Sequence, residues 1–382
     1  MTRFRPARIS RPPRAARGFS LIELMTSITI GLLILAGLAS VFVNSSTANR
    51  EMKNSAEQIE NGRYAIEMLT QDIRHAGYYG ELAALPAVPG SAPDPCAAPS
   101  AGAVSDTSNS ALALPVQYIS AASIPAGCAA LLTAANLQLG SDIVVVRRAD
   151  TTLVNSAGGG AITGGTVYLQ TTSDTADLQY GVAGAINNTQ NATGAASTLQ
   201  RRDFSVAASG TPPQFPLIAA AIRTYRTHIY FVAPCSVPNG GGSICTGSAD
   251  DQGKPVPTLK RLEIGASGAF SIVPLVEGIE AIRIEYGVDN LPATADPGTG
   301  LIGDGVPDAF SNTPTVVDMG NTVATRIFVL ARNTAATSGY IDDKTYTMGT
   351  YTTTMTNDSF KRHVYSAETR VANQSGRREI PR

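Results

Sequence analysis

Residues 18–23, Gly-Phe-Ser-Leu-Ile-Glu, begin an apolar run that continues to Val43. From Phe19 to Val43 there are 25 residues, and Glu23 is the only charged one. As an α-helix with a rise of about 1.5 Å per residue, this stretch spans about 37 Å, whereas the hydrocarbon core of a bilayer is about 30 Å thick. The sequence therefore predicts one membrane-spanning helix near the N-terminus.

The residues before the apolar run indicate how this helix is oriented and processed. Six arginines and no acid precede Gly18, so we expect a cytoplasmic N-terminus and a translocated C-terminal part. The apolar run is longer than the core of a secretory signal, and no A-x-A-like cleavage site follows it. The small residue Gly18 instead lies before the run, so cleavage there would remove the arginines and keep the helix.

Residues 17–24, Arg-Gly-Phe-Ser-Leu-Ile-Glu-Leu, resemble the class III signal of type IV pilins and pseudopilins. The resemblance implies that a prepilin peptidase cleaves between Gly18 and Phe19 and methylates the new amino group of Phe19. Glu23 is then the fifth residue of the mature chain. A carboxylate in a membrane helix is retained only with a partner or a role, and the Phe19 ammonium, in cis or on a neighbouring subunit, is a natural partner. A snorkelling acid near the interface is the alternative.

Apolar residues continue beyond Val43 at spacings of three to four, with one gap of seven between Ile59 and Ile66. This pattern predicts that the helix extends to about Gly77 and packs on the protein's own sheet, with packing on a partner helix as the alternative. Asp72 and Arg74 are interpreted as capping and surface-pairing residues, and Gly77 suits the position that closes a helix. We divide the chain into a leader (1–18), a transmembrane or filament-core half-helix (19–43), an amphipathic half-helix (44–79) and a head (80–382). The predicted stripe consists of Met52, Ala56, Ile59, Ile66, Leu69, Ile73 and Ala76.

The composition of the chain is typical of a β-rich extracytoplasmic protein. Only 15% of its residues are charged, and tryptophan is absent. Without the six leader arginines, the 29 Lys+Arg fall to 23 against 30 Asp+Glu, a net charge near −7. Such a charge does not favour nucleic-acid binding, and the basic residues Arg201, Arg202, Arg377, Arg378 and Arg382 are too scattered to indicate a basic patch.

Runs of β-branched and alternating residues predict strands in the head. They lie at residues 142–147, 166–170, 227–233, 258–264, 270–273, 282–286, 322–332 and 360–371. Residues 81–135 and most of 158–197 are interpreted as irregular segments or loops. The predicted fold class is α+β, with a long N-terminal helix packed on an antiparallel sheet.

Four cysteines, Cys96, Cys128, Cys235 and Cys245, follow the predicted membrane helix. They form no C-x-x-C pair and the chain has only three histidines, which argues against a zinc site. An oxidising compartment favours two disulfides. We favour Cys96–Cys128 and Cys235–Cys245, because each closes one loop rich in small residues and proline, although sequence alone leaves the other two connectivities open.

Motifs of common enzymes are absent: no GxSxG, HExxH, phosphate loop or dinucleotide fingerprint occurs. We therefore predict no catalysis, and His75, His228 and His363 are isolated in sequence. One candidate cation site remains, where Asp289, Asp304 and Asp308, with Asp296, lie in a segment rich in glycine and proline. Clustered carboxylates on such a segment suit Ca²⁺. A solvated acidic loop is the alternative.

Two further segments resemble PilW-type minor pilins. They are residues 69–80, Leu-Thr-Gln-Asp-Ile-Arg-His-Ala-Gly-Tyr-Tyr-Gly, and residues 275–289, and the C-terminal strand also fits the family pattern. The resemblance implies a minor pilin that primes type IV pilus assembly and supports motility and adhesion. Its partners would be other minor pilins, the major pilin, a tip protein and the prepilin peptidase.

The resemblance also implies an inner-membrane anchor and a periplasmic head that becomes extracellular on assembly. A minor pseudopilin of a type II secretion system, or a tip adhesin or DNA-binding pilin, is the alternative function. A membrane-anchored enzyme is a more distant one.

Overall fold

The computed structural model describes residues 18–97, 110–155, 163–180, 199–202, 204–210, 214–264, 269–291 and 303–379. The chain forms two compact units, Met1–Lys53 and Asn54–Arg382. Helix α1 (Leu21–His75) begins in the first unit and ends in the second. Of the predicted leader, only Gly18 lies within the described residues.

The first turns of α1 satisfy their polar groups locally. The Ser20 N–H donates to Oε2 of Glu23 over 3.0 Å, so the carboxylate lies at the helix N-terminus, where the macrodipole favours negative charge. The hydroxyls of Thr26, Ser27 and Thr29 donate to carbonyl oxygens three or four residues earlier. This back-bonding lets polar residues lie inside an apolar helix without unpaired groups.

The C-terminal end of α1 agrees with the prediction that the helix extends to about Gly77. Gly77 has a φ of +74°, which is the left-handed conformation that closes a helix and that glycine adopts most readily. Its N–H donates to the carbonyl of Arg147 over 2.9 Å. The helix end is therefore joined to a strand of the head.

In the described residues the head contains strands and three short helices. The strands are β1 (Val116–Ile119), β2 (Ile143–Asn155), β3 (Val167–Thr171), β4 (Ala176–Tyr180), β5 (Gln200–Arg202), β6 (Leu217–Ala219), β7 (Ile222–Ala233), β8 (Thr258–Ile264), β9 (Phe270–Glu277), β10 (Ile279–Val288), β11 (Ala309–Ser311), β12 (Thr322–Arg332), β13 (Thr345–Met348), β14 (Tyr351–Thr354) and β15 (Arg362–Arg370). The helices are α2 (Asp250–Gly253), α3 (Val316–Gly320) and α4 (Ala372–Glu379).

The strands form two main antiparallel sheets. The first has the order β1-β2-β7-β3-β4, and β7 also pairs with β8, which pairs with β9. The second has the order β11-β10-β12-β15. Strand pairs β5–β6 and β13–β14 are separate hairpins. Together with α1, these antiparallel sheets confirm the predicted α+β class.

One hydrophobic cluster joins the end of α1 to both sheets. In β10, Ile282, Ile284 and Tyr286 are buried as predicted, but Ala281, Glu285 and Val288 are buried as well, so the strand is not half exposed as the sequence alternation predicts. Leu69 and Ile73 of α1 belong to the same cluster, and neither side chain is exposed. Removing these apolar side chains from water holds the helix on the sheets.

The buried face of α1 differs from the predicted stripe. Leu69, Ile73 and Ala76 are buried as predicted, but Met52 is 68% exposed and Ile59 is 50% exposed. The head-facing positions of the middle turns are Gln58, Gly62 and Ala65 instead. A Cβ atom on Gly62 would overlap the ring of Tyr365, so the helix approaches the head too closely for a side chain there. Close approach therefore selects small and amide residues over large apolar ones.

Two strands occur where loops were predicted. β1 lies within residues 81–135, and β4 lies within residues 158–197. β1 is short and follows Pro115, so the surrounding Ala, Pro and Ser residues hide it, yet it pairs with β2 and is largely buried. Residues 156–162 and 181–198, which belong to the same predicted loop region, lie outside the described part of the chain.

The C-terminal helix α4, which the sequence did not predict, covers the end of α1. Nδ2 of Asn373 donates to the carbonyls of His75 and Ala76, at 3.4 and 3.1 Å. The guanidinium of Arg377 donates to the carbonyls of Gly77 and Leu82. The carbonyls of His75 and Ala76 lie at the end of α1, where carbonyls lack intrahelical partners. The last helix of the described residues therefore caps the first.

Candidate functional site

The predicted processing and assembly residues lie together at the start of α1. Phe19 is 85% exposed, and Glu23 is exposed with its carboxylate held over the first turn by the Ser20 N–H. In the unprocessed chain the nitrogen of Phe19 is an amide. Cleavage after Gly18 would make it an ammonium one residue before the amide that already binds Glu23. Cleavage would therefore create a positive charge close to the Glu23 carboxylate.

The rest of this half-helix offers one continuous apolar surface. Every large apolar side chain between Phe19 and Val43 is more than half exposed. Among the described residues, α1 is the one helix long and apolar enough to cross a membrane. Exposed apolar area of this extent is not stable in water, so this half-helix requires lipid or other apolar helices around it.

Asp72 joins the last turns of α1 to the large sheet. Its carboxylate accepts a hydrogen bond from Nε of Arg148 at 2.7 Å, from Nδ1 of His228 at 2.7 Å and from the hydroxyl of Tyr230 at 2.8 Å. Asp72 and His228 are buried, and Arg148 is partly exposed. The expected capping or surface-pairing role of Asp72 is therefore wrong, because the residue points into the head.

Electrostatics around Asp72 favour its ionised form. Burial alone would raise the pKa of Asp72, but the hydrogen bonds and positive charge supplied by His228 and Arg148 outweigh it, and the net pKa lies well below the usual range. The same carboxylate raises the pKa of Tyr230, together with the larger effect of burial. Asp72 thus remains ionised and acts as a hydrogen-bond acceptor for two strands.

Amide side chains fix the earlier turns of α1. Nε2 of Gln58 donates to the carbonyls of Ala331 and Lys361, at 2.9 and 3.0 Å. Nδ2 of Asn61 donates to the carbonyl of Glu277 at 3.1 Å. These contacts and those of Asp72 hold the second half of α1 to both sheets along about four turns.

A buried ion cluster holds the C-terminal strand β15. Arg362, with 1% of its side chain exposed, binds both oxygens of Glu280. It also binds Asp342 at 2.9 Å and Asp358 at 2.6 Å. The hydroxyl of Tyr346 donates to Asp342, which is fully buried. One guanidinium therefore forms ion pairs with three carboxylates from separate segments.

Two family models match the chain. The model described as "Type IV Pilus-assembly protein W" matches residues 244–373, and the model described as "Prokaryotic N-terminal methylation motif" matches residues 13–39. The chain therefore contains a PilW-type region and a prepilin-type N-terminal motif. No curated protein and no solved structure matches it.

The two matches cover the start of α1 and the C-terminal part of the head. The methylation-motif match includes Gly18, Phe19 and Glu23, and the PilW match includes β8 to β15 with the Arg362 ion cluster. Residues 69–80, which resemble PilW-type chains by pattern, lie outside both matches. Pilins are structural proteins, and no feature of the described residues indicates catalysis.

All four cysteines of the chain form disulfides. The bonds are Cys96–Cys128 and Cys235–Cys245, which is the connectivity favoured from the sequence. The side chains closest to a metal-binding arrangement in the described residues are these same pairs, each with one aspartate. Because the sulfur atoms are bonded to each other, they are not available as thiolate ligands.

The candidate calcium residues each have donors from the protein. Asp289 is buried and lies 3.2 Å from Nη1 of Arg378, and it accepts the Gly305 N–H at 3.0 Å. Asp304 accepts the Val306 N–H, and Asp308 accepts the Asn290 N–H. Asp296 lies outside the described residues. Calcium binding at Asp289, Asp304 and Asp308 stays a prediction, and Arg378 already supplies positive charge at the buried one.

The helix–head contacts are what sequence reasoning missed. Asp72, Gln58 and Asn61 are polar residues on a helix, where a surface position is the common expectation. The available signal was the spacing, because Gln58, Ala65, Leu69 and Asp72 fall on one helical face at intervals of three, four and seven. An acid on the apolar face of a helix needs a buried partner, and His228 and Arg148 supply it.

Proposed function

We propose that this chain is a PilW-type minor pilin that primes assembly of a type IV pilus. The observation that carries the proposal is an exposed apolar half-helix with a single carboxylate near its start, directly after a glycine suited to prepilin cleavage. The proposed parts are a leader at 1–18, a membrane or filament-core half-helix at 19–43, an amphipathic half at 44–79 and a head at 80–382.

The proposed mechanism is non-covalent. Before assembly the half-helix spans the inner membrane as a single pass, with the head in the periplasm. After cleavage, the apolar half-helix moves from lipid into a bundle of the corresponding helices of other minor pilins, the major pilin and a tip protein. Glu23 pairs with the Phe19 ammonium of a neighbouring subunit. Because a charge in an apolar bundle is stable only beside its partner, this pair sets the axial register of the subunits.

The head is bound to the second half of α1. Gln58, Asn61 and Asp72 bind the second half of α1 to the sheets, so the head does not rotate freely about that part of the helix. The head and this part of the helix would therefore meet neighbouring subunits as one body, which would support motility and adhesion by the pilus.

Surface pili counted on a deletion strain test the proposal, with retraction disabled in parallel. We expect pili to be lost, and to return when retraction is blocked, because a priming subunit lowers the barrier to assembly without being needed along the whole filament. Normal piliation in the deletion strain would overturn the proposal. Loss of protein secretion with normal pili would favour the pseudopilin of a type II secretion system.

Substituting Glu23→Ala should lower the amount of the chain in sheared pili about 100-fold, since an unpaired ammonium in an apolar bundle costs about 3 kcal/mol. The measurement is immunoblotting of pili and membranes, with cleavage of the leader checked by mass spectrometry. Glu60→Ala, at an exposed position of the same helix, is the matched control and should incorporate normally. Normal incorporation of the Glu23 variant would contradict the pairing.

A further inference from the structure

The two disulfides lie in one hydrophobic cluster, with Phe231 and Leu262 among its members. Each of the four cysteines is at most 6% exposed. Burial is therefore matched, and each pair has one aspartate within 4.8 Å of its sulfur atoms. The difference is a lysine, Lys260, which lies beside the Cys235–Cys245 bond. This difference bears on thiol–disulfide exchange, because that reaction breaks the bond and releases one sulfur as a thiolate.

A carboxylate lies beside the Cys96–Cys128 bond. Oδ1 of Asp94 is 3.7 Å from Sγ of Cys128, and it also accepts the Cys96 N–H at 2.9 Å. Oδ2 accepts the Gly127 N–H at 2.6 Å. A negative charge at this distance disfavours a thiolate, so this bond resists exchange.

An ammonium lies beside the Cys235–Cys245 bond. Nζ of Lys260 is 3.9 Å from Sγ of Cys235 and 3.8 Å from Sγ of Cys245. Lys260 lies in β8, and its side chain is 1% exposed. Burial lowers the pKa of Lys260, and the charges of Asp251 and Asp250 counter this only in part. A thiolate at either cysteine would add an anion within 3.9 Å of the ammonium.

Two carboxylates near the same bond are engaged by other donors. Asp250 lies within 4.8 Å of both sulfur atoms, but it accepts hydrogen bonds from the N–H of Asn239, Thr246 and Gly247 and from the hydroxyl of Thr246. Asp251 accepts three N–H groups, from Ser236, Val237 and Val256. These donors, four at Asp250 and three at Asp251, offset the negative charge more fully than the two N–H groups do at Asp94. The ammonium of Lys260 is therefore the charge that distinguishes the Cys235–Cys245 bond.

The middle of the segment between Cys235 and Cys245 has few contacts, although its first residues, Ser236, Val237 and Asn239, donate backbone N–H groups to Asp251 and Asp250. Gly240 and Gly241 have φ values of +80° and +77°, and no atom lies within 4 Å of a Cβ built on either. Most residues between Cys235 and Cys245 are exposed. Such a segment opens at low free energy, and its opening would expose the bond to a reductant.

We propose that Cys235–Cys245 is a site of thiol–disulfide exchange with a dithiol, and that Lys260 makes it the more reducible of the two bonds. A thiolate of the dithiol attacks one sulfur, the S–S bond breaks, and the other cysteine leaves as a thiolate beside the Lys260 ammonium. The second thiol of the reagent then resolves the mixed disulfide. Two electrons and two protons pass to the cysteine pair, and the dithiol becomes a disulfide.

Graded reduction of the full-length chain in detergent with dithiothreitol tests this proposal, followed by alkylation and peptide mass spectrometry of each cysteine pair. We expect Cys235–Cys245 to be reduced first. Lys260→Met should slow its reduction about tenfold, because the leaving thiolate loses its stabilising charge, and leave Cys96–Cys128 unchanged. Lys254→Met removes an exposed lysine and should change neither rate.

Two further variants separate charge from loss of structure. Lys260→Arg keeps the positive charge and should retain the fast rate, and Asp94→Asn should accelerate reduction of Cys96–Cys128. If Lys260→Met unfolds the head, both bonds become accessible together. In that case the reduction rates of the Lys260→Arg and Asp94→Asn variants test whether charge controls the reduction of each bond. Equal rates for the two bonds in the unmodified chain, or Lys260→Arg and Asp94→Asn rates that do not follow charge, would overturn the proposal.

Discussion

Replacing Arg362 with methionine will destabilise the head by about 4 kcal/mol, the largest loss that we expect from a single substitution. The change leaves the buried carboxylate of Asp342 and the partly buried carboxylate of Glu280 without this guanidinium. Breaking a buried ion cluster from one side costs about 3–5 kcal/mol, because the remaining charges stay in a medium that solvates them poorly. Arg362 also ties β15 to β10 through Glu280, so strand pairing near the C-terminus should weaken.

Denaturant unfolding of the full-length chain in detergent measures this effect. Every tyrosine of the chain lies at or after Tyr64 and tryptophan is absent, so tyrosine fluorescence reports on the head rather than on the membrane half of α1. Arg326→Met is the matched control, because Arg326 pairs with Glu368 between β12 and β15 on the surface. Exposed pairs contribute at most about 1 kcal/mol. A loss below that value for Arg362→Met would contradict the assigned role.

Substituting Asp72→Asn should destabilise the helix–head junction by about 3 kcal/mol. The amide keeps the shape of the side chain but removes the charge that accepts from Arg148, His228 and Tyr230. Arg74→Gln is the control on the same helix, at an exposed position, and should change the free energy of unfolding by less than about 0.5 kcal/mol. If both variants lost the same free energy of unfolding, the hydrogen bonds of the Asp72 carboxylate would not stabilise the junction, and the prediction would be wrong.

The stabilising effect of Asp72 on the fold should depend on pH. The folded-state pKa of Asp72 is depressed below its unfolded value, so its contribution is fully present above about pH 4 and is lost as the pH falls toward the folded pKa. The free energy of unfolding should therefore fall more steeply below pH 4 in the unmodified chain than in Asp72→Asn. Parallel curves in the acid range would contradict a depressed pKa.

The sequence predicted the elements whose pattern is set by burial. The apolar run from Phe19, the closing glycine Gly77 and the alternation of Ile282, Ile284 and Tyr286 each have one simple physical cause. The large strands β2, β7, β8, β10, β12 and β15 agree with predicted runs, although several extend beyond them.

The contacts between elements could not be read in the same way. Hydropathy favours Met52 and Ile59 for the head-facing stripe of α1, but the helix lies so close to the head that Gln58 and Gly62 take those positions. The partners of Asp72 lie 76 to 158 positions away in the sequence. A single sequence carries no periodic signal for such long-range polar pairs, and the same holds for Lys260 beside the second disulfide.

The capping of α1 by α4 has a consequence for the order in which the protein matures. Asn373 and His75 are 298 positions apart, so the end of α1 lacks this partner until the chain has been synthesised as far as α4. An N-terminal segment apolar enough to enter the bilayer is available from the start of synthesis. The anchor should therefore be in the membrane before the head can complete its fold, which keeps every unfinished head tethered at one membrane surface.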